Sequence, residues 1–120
     1  MNIGKTGETG ERLVADFMSK KGCTVIKRNY QCRFGEIDII AETQEYIIFT
    51  EVKTRAEGSI VSPAESVGRR KQERILLAAE DFLCKYETVL QPRFDVAEVT
   101  VFKKSDGRNG YRLNYIKNAF

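Results

Sequence analysis

Asp38, Glu51 and Lys53 are the residues of this chain whose types and spacing could do chemistry. Asp38 interrupts the apolar run Ile37-Asp38-Ile39-Ile40, and Glu51 and Lys53 stand two apart in Phe49-Thr50-Glu51-Val52-Lys53. Each acid takes a place where a core strand would carry Val or Leu. Side chains on a strand repeat every two residues, so Lys53 shares a face with Glu51. Two carboxylates beside an ammonium make a constellation for metal-assisted hydrolysis. The acids hold a divalent cation, which polarises a phosphoryl oxygen and lowers the pKa of bound water, and the lysine holds the attacking water or steadies an oxyanion. A salt bridge at a sheet rim, with Lys53 neutralising one acid, explains the same residues without any chemistry.

The rest of the composition narrows the choice. With no histidine among 120 residues, a His base and a His metal ligand are both excluded. No Gly-rich loop ends in Lys-Ser or Lys-Thr, so no phosphate loop of that kind is present. Carboxylates select hard cations such as Mg²⁺ or Mn²⁺. The length fits one domain over residues 1–120, and 42% hydrophobic with 31% charged residues describes a folded chain. The N-terminus lacks the apolar run of a signal peptide, and no stretch reaches membrane-spanning length, so no membrane partner is expected. Cys23, Cys32 and Cys84 are odd in number without a C-x-x-C pair, which reads as reduced thiols in a cytoplasmic protein. A net charge of +3 is compatible with a nucleic-acid partner, and Lys53, Arg55, Arg69, Arg70, Lys71 and Arg74 crowd the middle of the chain. A solvated helix face would explain the same cluster.

Periodicity supplies the elements that must position these groups. Thr6 can cap a helix running to about Lys21, with Glu8 and Glu11 in its first turn, a stripe of Leu13, Val14, Phe17 and Met18, and Gly22 as its stop. Strands follow over Thr24 to Tyr30, Glu36 to Glu42 and Tyr46 to Lys53, then a polar loop over Ala56 to Ser62. Ser62-Pro63-Ala64-Glu65 opens, directly or through a short turn, a helix reaching about Tyr86 with an apolar face of Ile75, Ala78, Ala79, Phe82 and Tyr86. Pro92 separates it from a strand over Arg93 to Phe102. A turn at residues 105–110 precedes an edge strand over Tyr111 to Ile116. The order α-β-β-β-α-β-β predicts a single-domain α/β fold with a mixed sheet.

The hairpin between the second and third strands sets the register. A two-residue loop pairs Thr43 with Tyr46 and a four-residue loop pairs Glu42 with Ile47. Both place Asp38 opposite Glu51, and Gln44-Glu45 is poor two-residue turn chemistry, which favours the longer loop. A three-residue loop or a bulge would shift the pairing by one. Opposed like charges cost roughly 0.2–1 kcal/mol in ordinary strand pairs. Partial burial raises that cost, and a cation bound by both acids would offset it. Glu11, beside the Val14 and Met18 stripe, can approach the sheet as a further metal-shell acid or can simply serve the helix dipole. Gln72 shares a stripe with Ile75 and Ala79, where its amide could orient a water or phosphate or be satisfied by backbone. Alternation puts Asp95 on a face with Ala97, Val99 and Val101, and an ion pair with Arg93 or a helix arginine is its first reading.

Gly7-Glu8-x-Gly10-Glu11, Gly35-Glu36-Ile37-Asp38, Glu51-Val52-Lys53-x-Arg55, Lys71-Gln72 and Arg93-Phe94-Asp95-Val96 occur in this order. Together they resemble the small bacterial YraN-type family, predicted endonucleases distantly similar to archaeal Holliday-junction resolvases and to the PD-(D/E)xK nuclease superfamily. The resemblance runs from Gly7 to about Phe102. It implies a restriction-endonuclease-like fold and a Mg²⁺- or Mn²⁺-dependent endonuclease hydrolysing DNA phosphodiester bonds, on branched or structured DNA by analogy with resolvases. It implies that Asp38, Glu51 and the Val52 backbone carbonyl ligate the metal, that Lys53 is the catalytic lysine, and that Glu11 and Gln72 match a helix acid and a polar position of the site. Arg55, Arg69, Arg70, Lys71 and Arg74 are the nucleic-acid-binding candidates. The superfamily's name-giving Pro is absent, with Ile37 in its place, as is common in the resolvase-like branch. Resolvases work as symmetric dimers, so a homodimer is a further expectation, although no self-complementary patch is legible. The competing expectation is a binding module that keeps the fold without turnover. A structural partner without nucleic-acid contact is a third, and a basic helix facing away from Asp38 and Glu51 would mark it.

Overall fold

The computed structural model describes residues 3–58 and 67–120, with backbone alone over residues 3–7. Its elements run α1 (Ile3–Lys20), β1 (Thr24–Cys32), β2 (Gly35–Glu42), β3 (Tyr46–Ala56), α2 (Arg69–Lys85), β4 (Gln91–Lys103) and β5 (Asn109–Ile116). This is the expected α/β order. The five strands form one sheet in sequence order. β3 and β4 pair in parallel and the other neighbours are antiparallel, so the sheet is mixed. A parallel neighbour requires a crossover, and α2 lies on that connection.

Each helix buries its apolar stripe on an opposite face of the sheet. Val14, Ala15 and Met18 of α1 pack on Ile39, Ala41, Ile48, Ala97 and Val99. Ile75, Ala78, Ala79 and Phe82 of α2 pack on Ile40, Ile47, Phe49 and Val96. Full burial of such a side chain stabilises by roughly 1.5–3 kcal/mol, which fixes both helices on the sheet. Gly22, at φ 94, ends α1 as its position suggested: the Cys23 amide donates to the Met18 carbonyl and the Gly22 amide to Ser19. Gly35, at φ 145, closes the tight turn between β1 and β2, a backbone region that residues with a Cβ avoid.

Several boundaries differ from the sequence reading. α1 begins at Ile3, so Thr6 is helical rather than a cap, and Glu8 and Glu11 fall beyond the first turn. Gly4 and Gly7 weaken a helix without stopping it, as a Pro inside it would. Pro92 lies inside β4, opposite Ile47, rather than before the strand. A proline is tolerated there because β5 pairs with β4 only from Val96 onward, which leaves that end of β4 an edge. β3 runs three residues past Lys53 because its ladder with β4 continues to Ala56↔Val101. The Ser62-Pro63-Ala64-Glu65 cap and most of the polar loop lie outside the described residues. α2 itself starts after Gly68, without a side-chain cap.

Candidate active site

The hairpin has the anticipated register. Glu42 faces Ile47, and the pairing continues to Ile39↔Thr50, one step short of Asp38 and Glu51. Thr43 organises the turn, its Oγ1 accepting from the amides of Glu45 and Tyr46 at 3.2 and 2.9 Å. Beyond Ile39 and Thr50 the β2–β3 ladder ends. β2 stays with β1 as far as Cys32↔Gly35, and β3 stays with β4 to Ala56. The sheet therefore forks, and the two acids stand at the crotch.

The fork has a local cause. Ile37 packs on the α2 side and Ile39 on the α1 side, although strict alternation would put both on one face. β2 therefore turns over at Asp38. Across from it, between Arg28↔Ile39 and Tyr30↔Ile37, Asn29 adopts φ 52, a region that Asn enters more readily than bulkier residues. The Val52 amide, freed from a β2 ladder partner, donates to Asp38 Oδ2 at 2.8 Å. A side chain thus replaces a missing rung and joins the prongs at their base.

Glu51 is buried, at 5% exposure, and its Oε1 accepts from two ammonium groups: Lys53 Nζ at 3.2 Å and Lys71 Nζ at 2.6 Å. Among the described residues no ion pair reaches Asp38. Burial and the Glu51 charge push the Asp38 carboxyl up to about 7, against the hydrogen bond from Val52, with Glu11 and Glu36 adding to the rise. Burial, then the neighbouring Lys71, pulls the Lys53 ammonium below its usual value, with Glu51 pulling the other way. Burial is the largest single influence on Lys71 and draws it down, but the bond to Glu51, the neighbouring Lys53 and the charges of Glu51 and Asp38 together leave it raised.

Glu11 approaches from α1. Burial raises its pKa, Arg28 opposes the rise, and Glu36 and Glu51 reinforce it. Its Oε1 is buried without a hydrogen-bond partner, and so is Arg28 Nε. Gln72 donates its amide to the Val67 carbonyl at 3.0 Å, the backbone-satisfied arrangement. Arg55 is half-buried two residues past Lys53, while Arg69, Arg70 and Arg74 are exposed around the start of α2. Arg69 pairs with Glu73 at 3.7 Å, and Arg74 lies against Gly35 at the tip of β2. The basic turn therefore borders the acids, the opposite of what a helix facing away would show. Asp95 belongs elsewhere. It is fully buried and accepts from Arg93 Nη2 at 2.8 Å, the Tyr115 hydroxyl at 2.6 Å and the Asn118 amide at 2.9 Å, so its structural reading holds.

Sequence reasoning missed three participants. Lys71 stood only among the nucleic-acid contacts, because its sequence gives no hint that α2 delivers it to Glu51. Arg28 went unnoticed on a strand read as ordinary. Asn29 carried a signal, since Asn is depleted in strands and enters positive φ more readily than most residues.

The family comparison bears on the same region. A model of the uncharacterised protein family UPF0102 matches residues 10–99, a span that contains both prongs of the fork and all of α2. The chain belongs to the UPF0102 (YraN) family. Relatives of the same length include a UPF0102 protein of Caldicellulosiruptor bescii, 41% identical with all of both chains covered. Another, from Caldanaerobacter subterraneus subsp. tengcongensis, is 36% identical over all of this chain and 98% of its own. A third, from Clostridioides difficile, is 37% identical over the whole of both. This UPF0102 chain thus covers at least 98% of the length of each of these three relatives. No helix among its described residues is long and apolar enough to cross a membrane.

Proposed function

We propose that this UPF0102 protein is a Mg²⁺- or Mn²⁺-dependent endonuclease that hydrolyses phosphodiester bonds in branched or structured DNA, in the cytoplasm. One observation carries the reading: Asp38 is held beside a buried Glu51 with no ion-pair partner among the described residues, at a fork bordered by a basic helix turn. A fold gains nothing from that repulsion unless a positive ligand joins the two acids.

The donors fit a hard cation. They are carboxylate oxygens, with the Val52 carbonyl adjacent and the orphaned Glu11 oxygen in reserve. Among the described residues no three Asp, Glu, His or Cys side chains converge closely enough to hold a metal alone. That suits Mg²⁺, which keeps waters and takes ligands from substrate phosphates. When bound, it would supply Lewis acidity and a more acidic water. Asp38 and Glu51 would hold that charge, and Lys53, which stands on Glu51, would serve the attacking water or the phosphoryl oxyanion with its ammonium. Lys71, at the edge of the same fork, would join Arg69, Arg70 and Arg74 in neutralising the DNA backbone. Gln72 steadies the loop at Val67 that leads into this turn. Cutting paired strands would take two copies related by a two-fold axis, which light scattering on the DNA complex would report.

The test is cleavage of a four-way junction and of supercoiled plasmid with Mg²⁺ or Mn²⁺. The parent should cut, and Lys53→Ala, Asp38→Asn and Glu51→Gln should bind without cutting. A second reading, a DNA-binding module without turnover, is favoured by one feature: Lys53 and Lys71 already neutralise Glu51, so the fold persists without a cation. Binding by the parent with no cleavage of any substrate would select it.

A further inference from the structure

On the α1 side of the sheet, where α1 ends and β4 begins, a cavity of about 370 Å³ opens between Phe17, Met18, Cys23 and Tyr115. Its rim carries Lys21, Arg93 and Lys117, and no acid is among the described residues that line it. The back wall is the Asp95 network. Arg93 is locked onto Asp95 through Nε and Nη2, and its guanidinium lies over the Tyr46 ring at 4.8 Å, so its orientation is set before any ligand arrives. Tyr115 is likewise fixed, donating to Asp95 and lying 3.1 Å from Thr50 Oγ1. Its ring meets Phe17 at 5.5 Å and 40°. Lys21 and Lys117 have no ion-pair partner among the described residues.

We infer that this cavity is a binding site for a planar aromatic group carrying a phosphate, that is, a nucleotide. The volume falls within the range of small-molecule sites, about 300–1,000 Å³. The aromatic pair and Met18 suit a base or sugar, since stacking on aromatic rings tolerates any base. Lys117, and Lys21 once it leaves the Phe17 ring that it covers at 5.7 Å, suit a phosphate, which a neutral ligand would leave unused. Asp95 offsets Arg93 but neither lysine, so the rim keeps a net positive charge. The site lies on the face opposite Lys71 and shares no residue with the fork, so it stands whether or not the fork cleaves DNA. The nucleotide is either free or the phosphorylated end of a strand, and the two share one chemistry.

Cys23 provides the readout. Its half-buried thiol lines the cavity, while Cys84 is exposed on α2 and serves as an internal control. The full-length protein is alkylated with and without adenosine 5′-monophosphate, and with a short oligonucleotide bearing or lacking a 5′-phosphate. Labelling is read cysteine by cysteine by mass spectrometry, with calorimetry in parallel. Protection of Cys23 but not Cys84 is expected. The nucleoside monophosphate protecting alone identifies a free nucleotide, and the 5′-phosphorylated strand protecting alone identifies a strand end. The double substitution Lys21→Ala/Lys117→Ala, on exposed side chains that leave the core intact, should weaken binding by at least about tenfold. Glu51→Gln should leave it unchanged. Protection by neither probe, protection unaffected by loss of both lysines, or loss of binding on Glu51→Gln would each overturn the assignment.

Discussion

Without a divalent cation, Asp38→Asn should make this protein more stable, not less. A carboxyl whose pKa is higher in the fold than in the unfolded chain favours the fold while protonated. For Asp38 that contribution is complete below about 3.8 and is lost as pH climbs through about 7. The interval, at about 1.36 kcal/mol per pH unit, caps the effect at about 4 kcal/mol. Solvent reaches part of Asp38, and screening brings the expected gain to about 2 kcal/mol. Asparagine is nearly isosteric and its Oδ1 can still accept from the Val52 amide, so the rung at the base of the fork survives. Urea unfolding in EDTA, followed by circular dichroism, should find the two proteins alike near pH 4 and the variant more stable by about 2 kcal/mol at pH 8.5. Millimolar Mg²⁺ should then raise the parent and leave the variant where it was, because only a species that binds the folded state shifts the equilibrium. A variant less stable than its parent at pH 8.5 in EDTA would refute the reasoning. It would mean that Asp38 serves the fold as an anion and needs no cation.

Lys71→Met should destabilise the metal-free protein by roughly 1–3 kcal/mol, since it removes a 2.6 Å bond to a buried carboxylate and leaves only Lys53. Mg²⁺ should restore part of that loss, read as a rise in melting temperature. Gly10→Ala drives a methyl into Thr54 Oγ1 where α1 crosses β3, and should cost about 1–3 kcal/mol. Thr54→Ala in the same chain should recover most of it in a double-mutant cycle. Asp95→Ala should cost about 3–5 kcal/mol in chemical denaturation, because it strands Arg93 at 14% side-chain exposure and leaves the Tyr115 hydroxyl with Thr50 alone. Glu11→Gln should raise metal-free stability slightly at pH 8. Its carboxyl is also raised by burial, so its stabilisation is present at low pH and lost as pH rises.

How much of this was legible beforehand depended on how far apart in sequence the partners lie. The β2–β3 register as far as Ile39↔Thr50 came from the parity of a short loop, so Asp38 and Glu51 could be placed at its next step from the sequence alone, without the turn-over of β2 there. The apolar stripes of both helices and the glycine stop at Gly22 were equally local, since each is a rule about neighbours within a turn or two. The start of α1 was misplaced because Thr6 offers a good cap but nothing compels a helix to begin there, and the glycines before it only lower helix propensity.

The sequence by itself determined which residues can carry charge to the crotch of the sheet, and on which strands. Only the tertiary structure decided that β2 turns over at Asp38, that β2 and β3 part beyond Thr50, and that Lys71 arrives at Glu51 from twenty residues away. It also decided that Arg93 and Tyr115, held from behind by Asp95 and Thr50, line a second cavity. These are contacts between segments whose chain separation sets no geometry. Their distances follow from how two helices seat on opposite faces of one twisted sheet, which no local periodicity encodes.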